Sequence, residues 1–290
     1  MEEIVEEKKH GNFFINTFFA IIVLLLGVFL YSKYLGVKGL IVKEYRVESD
    51  ILTSNFSGIK IVHISDLLYG STVDSNDIKI LVKKVNELKS DIIVFTGDLV
   101  TKGKKLKEED ITFLSESLDS MESTIGKYSI KGDYDYSLDS YEEIMNNSSF
   151  TILNNSYEEI YYNDNNFIYI VGLPSMIKDT IDMDASFEFY NDEARKYTIV
   201  LVHEGNAISK IDSSTFEVDL ILGGHSLNGS VIVPFYGSLF IPSESNKYYA
   251  PKYKKGITNI FISSGMGTTN YSYRFLNKPS INLYRLKSNQ

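Results

Sequence analysis

No cysteine occurs among the 290 residues, which excludes disulfides, thiolate zinc sites and a cysteine nucleophile together. Compartment is left open, since a cysteine-free chain is compatible with either side of a membrane. Arginine-rich segments and basic stripes are missing too, and the net charge is -9, so nucleic acid is not expected as a partner. A metal-centred nuclease, however, would not need such a stripe. No internal repeat, low-complexity tract or Pro/Gly-rich linker interrupts the chain, and 43% of it is hydrophobic. That combination suits one large globular domain and not a disordered chain.

Charge is absent from one stretch in particular. From Gly11 to Ser32 no residue is charged, and from Phe18 to Tyr31 the run is apolar apart from Gly27 and the Tyr31 hydroxyl. At about 1.5 Å per residue these residues rise roughly 33 Å, enough to cross a hydrocarbon core of about 30 Å. A single transmembrane helix over residues 13–32 is expected, with 1–12 a short tail and 33–44 a juxtamembrane segment. A cleaved signal peptide is the competing reading, but Ser32-Lys33-Tyr34-Leu35-Gly36 offers no small-x-small site. Lys8 and Lys9 precede the span, while Lys33, Lys38, Lys43 and Arg46 follow it. This bias points to a single-pass cell-membrane protein with a cytoplasmic domain, the tail being short enough to translocate.

From about Tyr45 to residue 290, strand and helix patterns alternate. Tyr45–Glu48 alternates like a half-exposed strand, and Ile59–Ile64 is a buried strand running into Ser65-Asp66. Ser75 or Asp74 is expected to cap a helix carrying Ile78, Leu81, Val85 and Leu88 at helical spacing. Ile92–Thr96 is a strand ending at Gly97-Asp98. A second helix carries Ile111, Leu114, Leu118 and Met121, and Gly126 is expected to separate it from a strand over 127–131. A helix is expected over 137–145, capped at Ser137 or Asp139; hairpins and turns over 146–166; a strand over 167–172; and a solvated helical face over Asp179–Glu193. This order implies a layered α/β fold.

Chemistry-bearing groups recur where strands end. Asp66, Asp98, His203 after Thr198–Val202, and His225 after Val218–Leu222 each follow an apolar run, and such groups converge at the carboxyl edge of a sheet. Gly223, Gly224 and Gly229 on either side are expected to allow positive φ and close backbone approach beside His225. His63, in mid-strand, reads as a packed core residue.

Together these segments, from about Gly58 to Leu286, resemble the calcineurin-like metallophosphoesterases, most closely their membrane-associated bacterial branch. That family carries D-x-H, G-D, G-N-H-D, a lone H and G-H-x-H, each after a strand of a two-sheet α/β sandwich. Here the counterparts are Asp66-Leu67-Leu68, Gly97-Asp98, Gly132-Asp133-Tyr134-Asp135, His203 and Gly224-His225-Ser226-Leu227. The segments Pro234–Ser243 and Ser264–Thr268 look like those that follow G-H-x-H in the same branch.

The resemblance implies two metal sites of unequal fate. One would take Asp98, Asp133, His203 and His225, all able to coordinate Mn, Fe or Zn, so one divalent ion is expected. The other keeps Asp66 and the shared Asp98, but Leu68 and Leu227 stand where histidines belong, and leucine has no lone pair. Tyr134 replaces the histidine that serves as general acid or phosphate contact, and with an ordinary pKa near 10 it suits proton transfer poorly. Asp135 either orients Tyr134 or closes a turn, and Leu68 and Leu227 can pack together in the vacated site. Expected, then, is a membrane-anchored domain taking a phosphoester or phospholipid-like ligand, with weak or absent hydrolysis. The alternative is an active phosphoesterase that cleaves phosphodiesters or lipid-linked pyrophosphates with one tight metal.

Overall fold

Alternation along the strands sorts the core into layers. In the computed structural model, which describes residues 2–163, 165–191, 195–269 and 271–290, Ile61, Ile92 and Val94 turn into a core shared with Ile170, Ile199, Leu201, Leu220 and Leu222. Val62, Ile64, Ile93 and Phe95 face the other way, onto Ile78, Leu81, Val85 and Leu114 of the outer helices. The result is the two-sheet α/β sandwich expected from the sequence. The first sheet runs, in spatial order, Ile41–Ser49, Ser280–Ser288, Lys60–Ile64, Ser90–Phe95, Ser123–Ser129 and Phe150–Ile152. The second runs Lys252–Lys255, Thr258–Ile262, Leu220–Gly223, Thr198–Leu201, Phe167–Gly172 and Ser156–Tyr161. Central neighbours are parallel in both, so their carboxyl ends lie along one edge.

Several boundaries differ from expectation for physical reasons. Asp74, not Ser75, caps the helix Ser75–Leu88, accepting from the amides of Asn76 and Asp77 while Asp77 returns a bond to the Asp74 amide. Gly126 lies inside a strand: the helix Glu108–Asp119 has already ended, and the glycine sits where the register against Ser90–Phe95 shifts. The helix expected over 137–145 is Tyr141–Asn147, because the 3-10 turn Asp135–Ser137 takes its first residues. In the acidic stretch only Met183–Ser186 forms an α-helical turn, followed by the 3-10 turn Glu188–Asn191; Asp192 and Glu193 lie outside the described residues. The first strand begins at Ile41, four residues before Tyr45, and pairs in parallel with Ser280–Ser288.

Among the described residues one helix, Phe13–Leu35, is long and apolar enough to cross a membrane, and its most apolar stretch is not covered by the domain. The helical backbone starts earlier, at Glu2, and ends in a π-helical turn over Tyr31–Leu35. There the Gly36 amide reaches back to the Tyr31 carbonyl, and the Ser32 carbonyl is taken by the Arg274 amide at 3.0 Å. Phe29 meets Tyr273 at 5.4 Å and Tyr31 meets Phe275 at 6.0 Å between ring centroids. The Arg274 guanidinium is fully buried and donates to the carbonyls of Ser264, Gly265, Gly267 and Asn277. A joint of hydrogen bonds and rings therefore links the helix end to the segment 264–277.

Candidate metal centre

Five strand ends deliver their polar groups to one edge: Asp66, Asp98, Asp133, His203 and His225 each follow a strand of the sandwich. One ligand atom from each of Asp98, Asp133, His203 and His225 lies within 4.8 Å of the others. His203 is oriented by its Nδ1, which donates to the Thr96 carbonyl at 2.6 Å. That bond fixes the tautomer and turns the Nε2 lone pair inward. Nε2 is 3.2 Å from His225 Nδ1, 3.4 Å from Asp98 Oδ2 and 3.5 Å from Asp133 Oδ1, and His225 Nδ1 is 3.4 Å from the same Asp133 oxygen. Asp133 Oδ1 is buried with no hydrogen-bond partner. An orphaned carboxylate oxygen facing two imidazoles and a second carboxylate is a donor set that fits a divalent cation.

The charges within the cluster are strongly coupled. Burial opposes ionisation of Asp133, but the imidazoles of His203 and His225, 3.5 and 3.4 Å from its Oδ1, outweigh it and hold the carboxyl well below the usual range. Burial likewise opposes protonation of His203, and Asp98 and Asp133 override it upward. Close approach of the backbone makes this possible: a Cβ at Gly132 would lie 2.3 Å from Asp98 Oδ1, and one at Gly224 would lie 2.0 Å from Ser65 Oγ. Of the glycines flanking His225, Gly229 carries positive φ, at 72, whereas Gly223 and Gly224 are absent from the left-handed region; His225 itself lies there, with φ 62. Asp66 (φ 48), Leu68 (φ 49), Asp98 (φ 61) and Leu227 (φ 51) share this uncommon conformation.

Asp66 stands beside the cluster but outside it. Its Oδ2 accepts from the His225 amide at 3.1 Å and from the Ser65 hydroxyl, and its Oδ1 is buried without a partner. Burial raises its carboxyl to about 6, with His203 opposing. Behind it runs a chain of buried groups, Thr96 donating to Ser65 at 2.8 Å and His63 Nε2 lying 2.8 Å from Thr96 Oγ1. His63 is thus packed in the core, as expected, and also belongs to this chain, its Nδ1 lying 3.3 Å from the Tyr284 hydroxyl; burial lowers its pKa to about 3. Leu68 and Leu227 are both buried against one segment: a Cβ at Gly267 would meet Leu68 Cβ at 2.5 Å, and one at Gly265 would meet Leu227 Cδ2 at 2.6 Å.

Of the alternatives for Asp135, the turn is what the structure contains. Its carboxylate accepts from the amides of Asp98, Leu99 and Gly132, tying two strand ends together, and burial and Asp98 push it up to about 7. Tyr134 donates its amide to Asp98 Oδ1 at 3.0 Å. With Asp133 it lines a cavity of about 180 Å³ whose other walls carry Lys102, Lys104, Lys105 and Lys178. Sequence reasoning missed this basic pocket, since scattered lysines read as solvated surface.

A two-sheet sandwich with imidazoles and carboxylates gathered at its carboxyl edge defines a metal-centred class of hydrolase folds. A family model described as calcineurin-like phosphoesterase matches residues 59–229. The chain belongs to this family. It is 30% identical over 265 residues to YkuE, an uncharacterised metallophosphoesterase of Bacillus subtilis, covering 90% of this chain and 91% of that one. A transmembrane protein with metallophosphoesterase domain from Danio rerio is 22% identical over 227 residues, 72% of this chain and 51% of that one. The UDP-2,3-diacylglucosamine pyrophosphatase LpxG of Chlamydia muridarum is 31% identical over 83 residues, 29% of this chain and 24% of that one.

Proposed function

We propose that the chain is a membrane-anchored phosphoester-binding domain that holds one divalent ion through Asp98, Asp133, His203 and His225 and hydrolyses phosphoesters weakly. Asymmetry between the two ligand sets carries this: four donors face one another, whereas Leu68 and Leu227 offer none and are buried against Gly265–Gly267. Mn, Fe or Zn suits two imidazoles and two carboxylates. Such an ion supplies Lewis-acid polarisation of a phosphoryl oxygen. The ammonium groups of the lysine-lined pocket offset phosphate charge beside Asp133 and Tyr134. Burial, with help from Asp98, Asp133 and Asp66, pushes the Tyr134 phenol up to about 12, so it stays protonated and serves as a hydrogen-bond donor to a phosphate oxygen. The same shift makes it a poor proton donor to a leaving group at neutral pH.

A second reading is favoured by Asp66 Oδ1, buried and unpaired: with Asp98 and substrate oxygens it would hold a second ion weakly, giving full hydrolysis. The substrate class named for the Chlamydia relative makes a lipid-linked pyrophosphate one candidate. Elemental analysis of the purified protein under metal-replete conditions, with hydrolysis of bis-p-nitrophenyl phosphate alongside, tests both. Expected are about one ion per chain, its loss in His225→Ala, and a rate barely above background. Two ions with a robust rate would establish the second reading, no ion would sink the centre altogether, and a robust rate with one ion that vanishes in Asp98→Ala would show that one metal suffices for full hydrolysis.

A further inference from the structure

Six large apolar side chains near the end of the long helix are exposed. Phe235 is wholly exposed, and Tyr236, Leu239, Phe240, Tyr271 and Leu276 are each at least 46% exposed. They belong to one surface. Ile232–Val233 and Gly237–Ser238 form a hairpin with Phe235, at φ 66, in its turn. The hairpin is bonded to the loop beyond Tyr271, Ile232 donating to the Phe275 carbonyl and Phe275 to that of Ser230. Phe240 and Tyr271 close the contact with ring centroids 5.3 Å apart. That same loop receives the helix end through the Arg274–Ser32 bond and the Tyr31–Phe275 and Phe29–Tyr273 ring pairs. Tyr34 and Leu35, exposed on the helix's last turn, extend the patch. Contiguous apolar surface rimmed by polar residues marks an interaction site, and aromatic side chains at the end of a span favour the headgroup layer.

We propose that the hairpin at residues 231–240, with Tyr271 and Leu276, is a second membrane contact lying in the interfacial layer of the bilayer that the anchor crosses. This rests on the anchoring proposed above. Continuity with the helix end selects the lipid surface as occupant: a span leaving the bilayer at Tyr31–Leu35 brings the loop bonded to it to the same level. The contact also bears on the metal centre. The hairpin directly follows the turn bearing His225, and Ser238 Oγ donates to the Asn228 carbonyl in that turn. A hairpin seated in the interface therefore sets the centre beside the headgroup layer, and the ligands it serves are amphiphiles whose phosphoester lies there.

The absence of cysteine makes the test clean. Single cysteines at Phe235, Leu276, Leu25 and Lys210 in the full-length protein are labelled with the fluorophore NBD and reconstituted into phosphatidylcholine–phosphatidylglycerol vesicles. Expected is a blue-shifted emission at positions 235 and 276, quenched by doxyl lipid as at 25 and resistant to aqueous iodide, with the reverse at 210. Iodide quenching at 235 and 276 while 25 stays in lipid would overturn the second contact and leave the anchor standing. Iodide quenching at 25 as well would remove the anchor itself. Self-quenching at 235 that grows with protein density, without doxyl quenching, would assign the patch to a second copy of the chain and overturn the proposal.

Discussion

Asp135 shows how much can depend on one carboxylate that touches no ligand. Three amides, those of Asp98, Leu99 and Gly132, converge on it in a fully buried setting, so an amide group in its place turns a donor toward donors. Asp135→Asn is expected to cost about 2 kcal/mol, read as a lower midpoint in urea unfolding, because a buried N–H is left unpaired. His63 gives a pH signature. Its pKa is about 3 when folded, against an ordinary 6.5, so between those values the unfolded chain binds the extra proton and stability falls as pH falls. Denaturation midpoints taken from pH 7 to pH 4 should therefore decline less steeply in His63→Gln than in the parent; identical slopes would show that His63 titrates normally. The ligand-type residues were legible because each follows a strand-like run. The turn at Asp135 was legible too, but its bonds to the Asp98 and Leu99 amides were not, because those come from another strand end and only folding brings them near.

At the scale of elements, long β-branched runs such as Ile92–Phe95 and Thr198–Leu201 declared themselves, whereas boundaries set by tertiary contact did not. Gly126 reads as a helix stop until its strand partner reveals a register shift, and the helix at Tyr141 starts late because the Asp135 turn claims the preceding residues. The loops bearing Leu68 and Leu227 keep left-handed backbone at both leucines, a conformation that costs an L-residue about 1–2 kcal/mol. Both loops are thus held in this shape by their surroundings. The triple variant Leu68→His, Tyr134→His, Leu227→His is therefore expected to bind a second Mn ion and to gain at least about tenfold on bis-p-nitrophenyl phosphate, ~1.4 kcal/mol of barrier. Two ions with no gain in rate would mean that missing ligands are not what limits hydrolysis. Packing of Leu68 and Leu227 against Gly265 and Gly267 was invisible in the sequence, since those positions are separated by long stretches of chain.

For the molecule as a whole, the first prediction is location: with an N-terminal tag, the full-length protein should sediment with membranes and resist carbonate extraction, and a soluble form lacking the tag would indicate a cleaved signal. Its joint to the domain has a further, mechanical consequence. A Cβ on Gly36 would fall 1.9 Å from the Arg274 carbonyl oxygen, so the helix end and the 264–277 segment touch backbone to backbone and can act as one lever. At its far end lie Gly265, against Leu227 and Asp66, and the Met266 and Gly267 amides, which bond the Asp66 carbonyl. Spans tilt to match the hydrophobic thickness around them. A stiff lever passes that tilt on as torque, which would make bilayer thickness an input felt at the metal centre. Manganese affinity measured in vesicles of short-chain and long-chain lipid should accordingly differ for the parent protein, and the difference should shrink in Gly36→Ala, where the lever has lost its fulcrum.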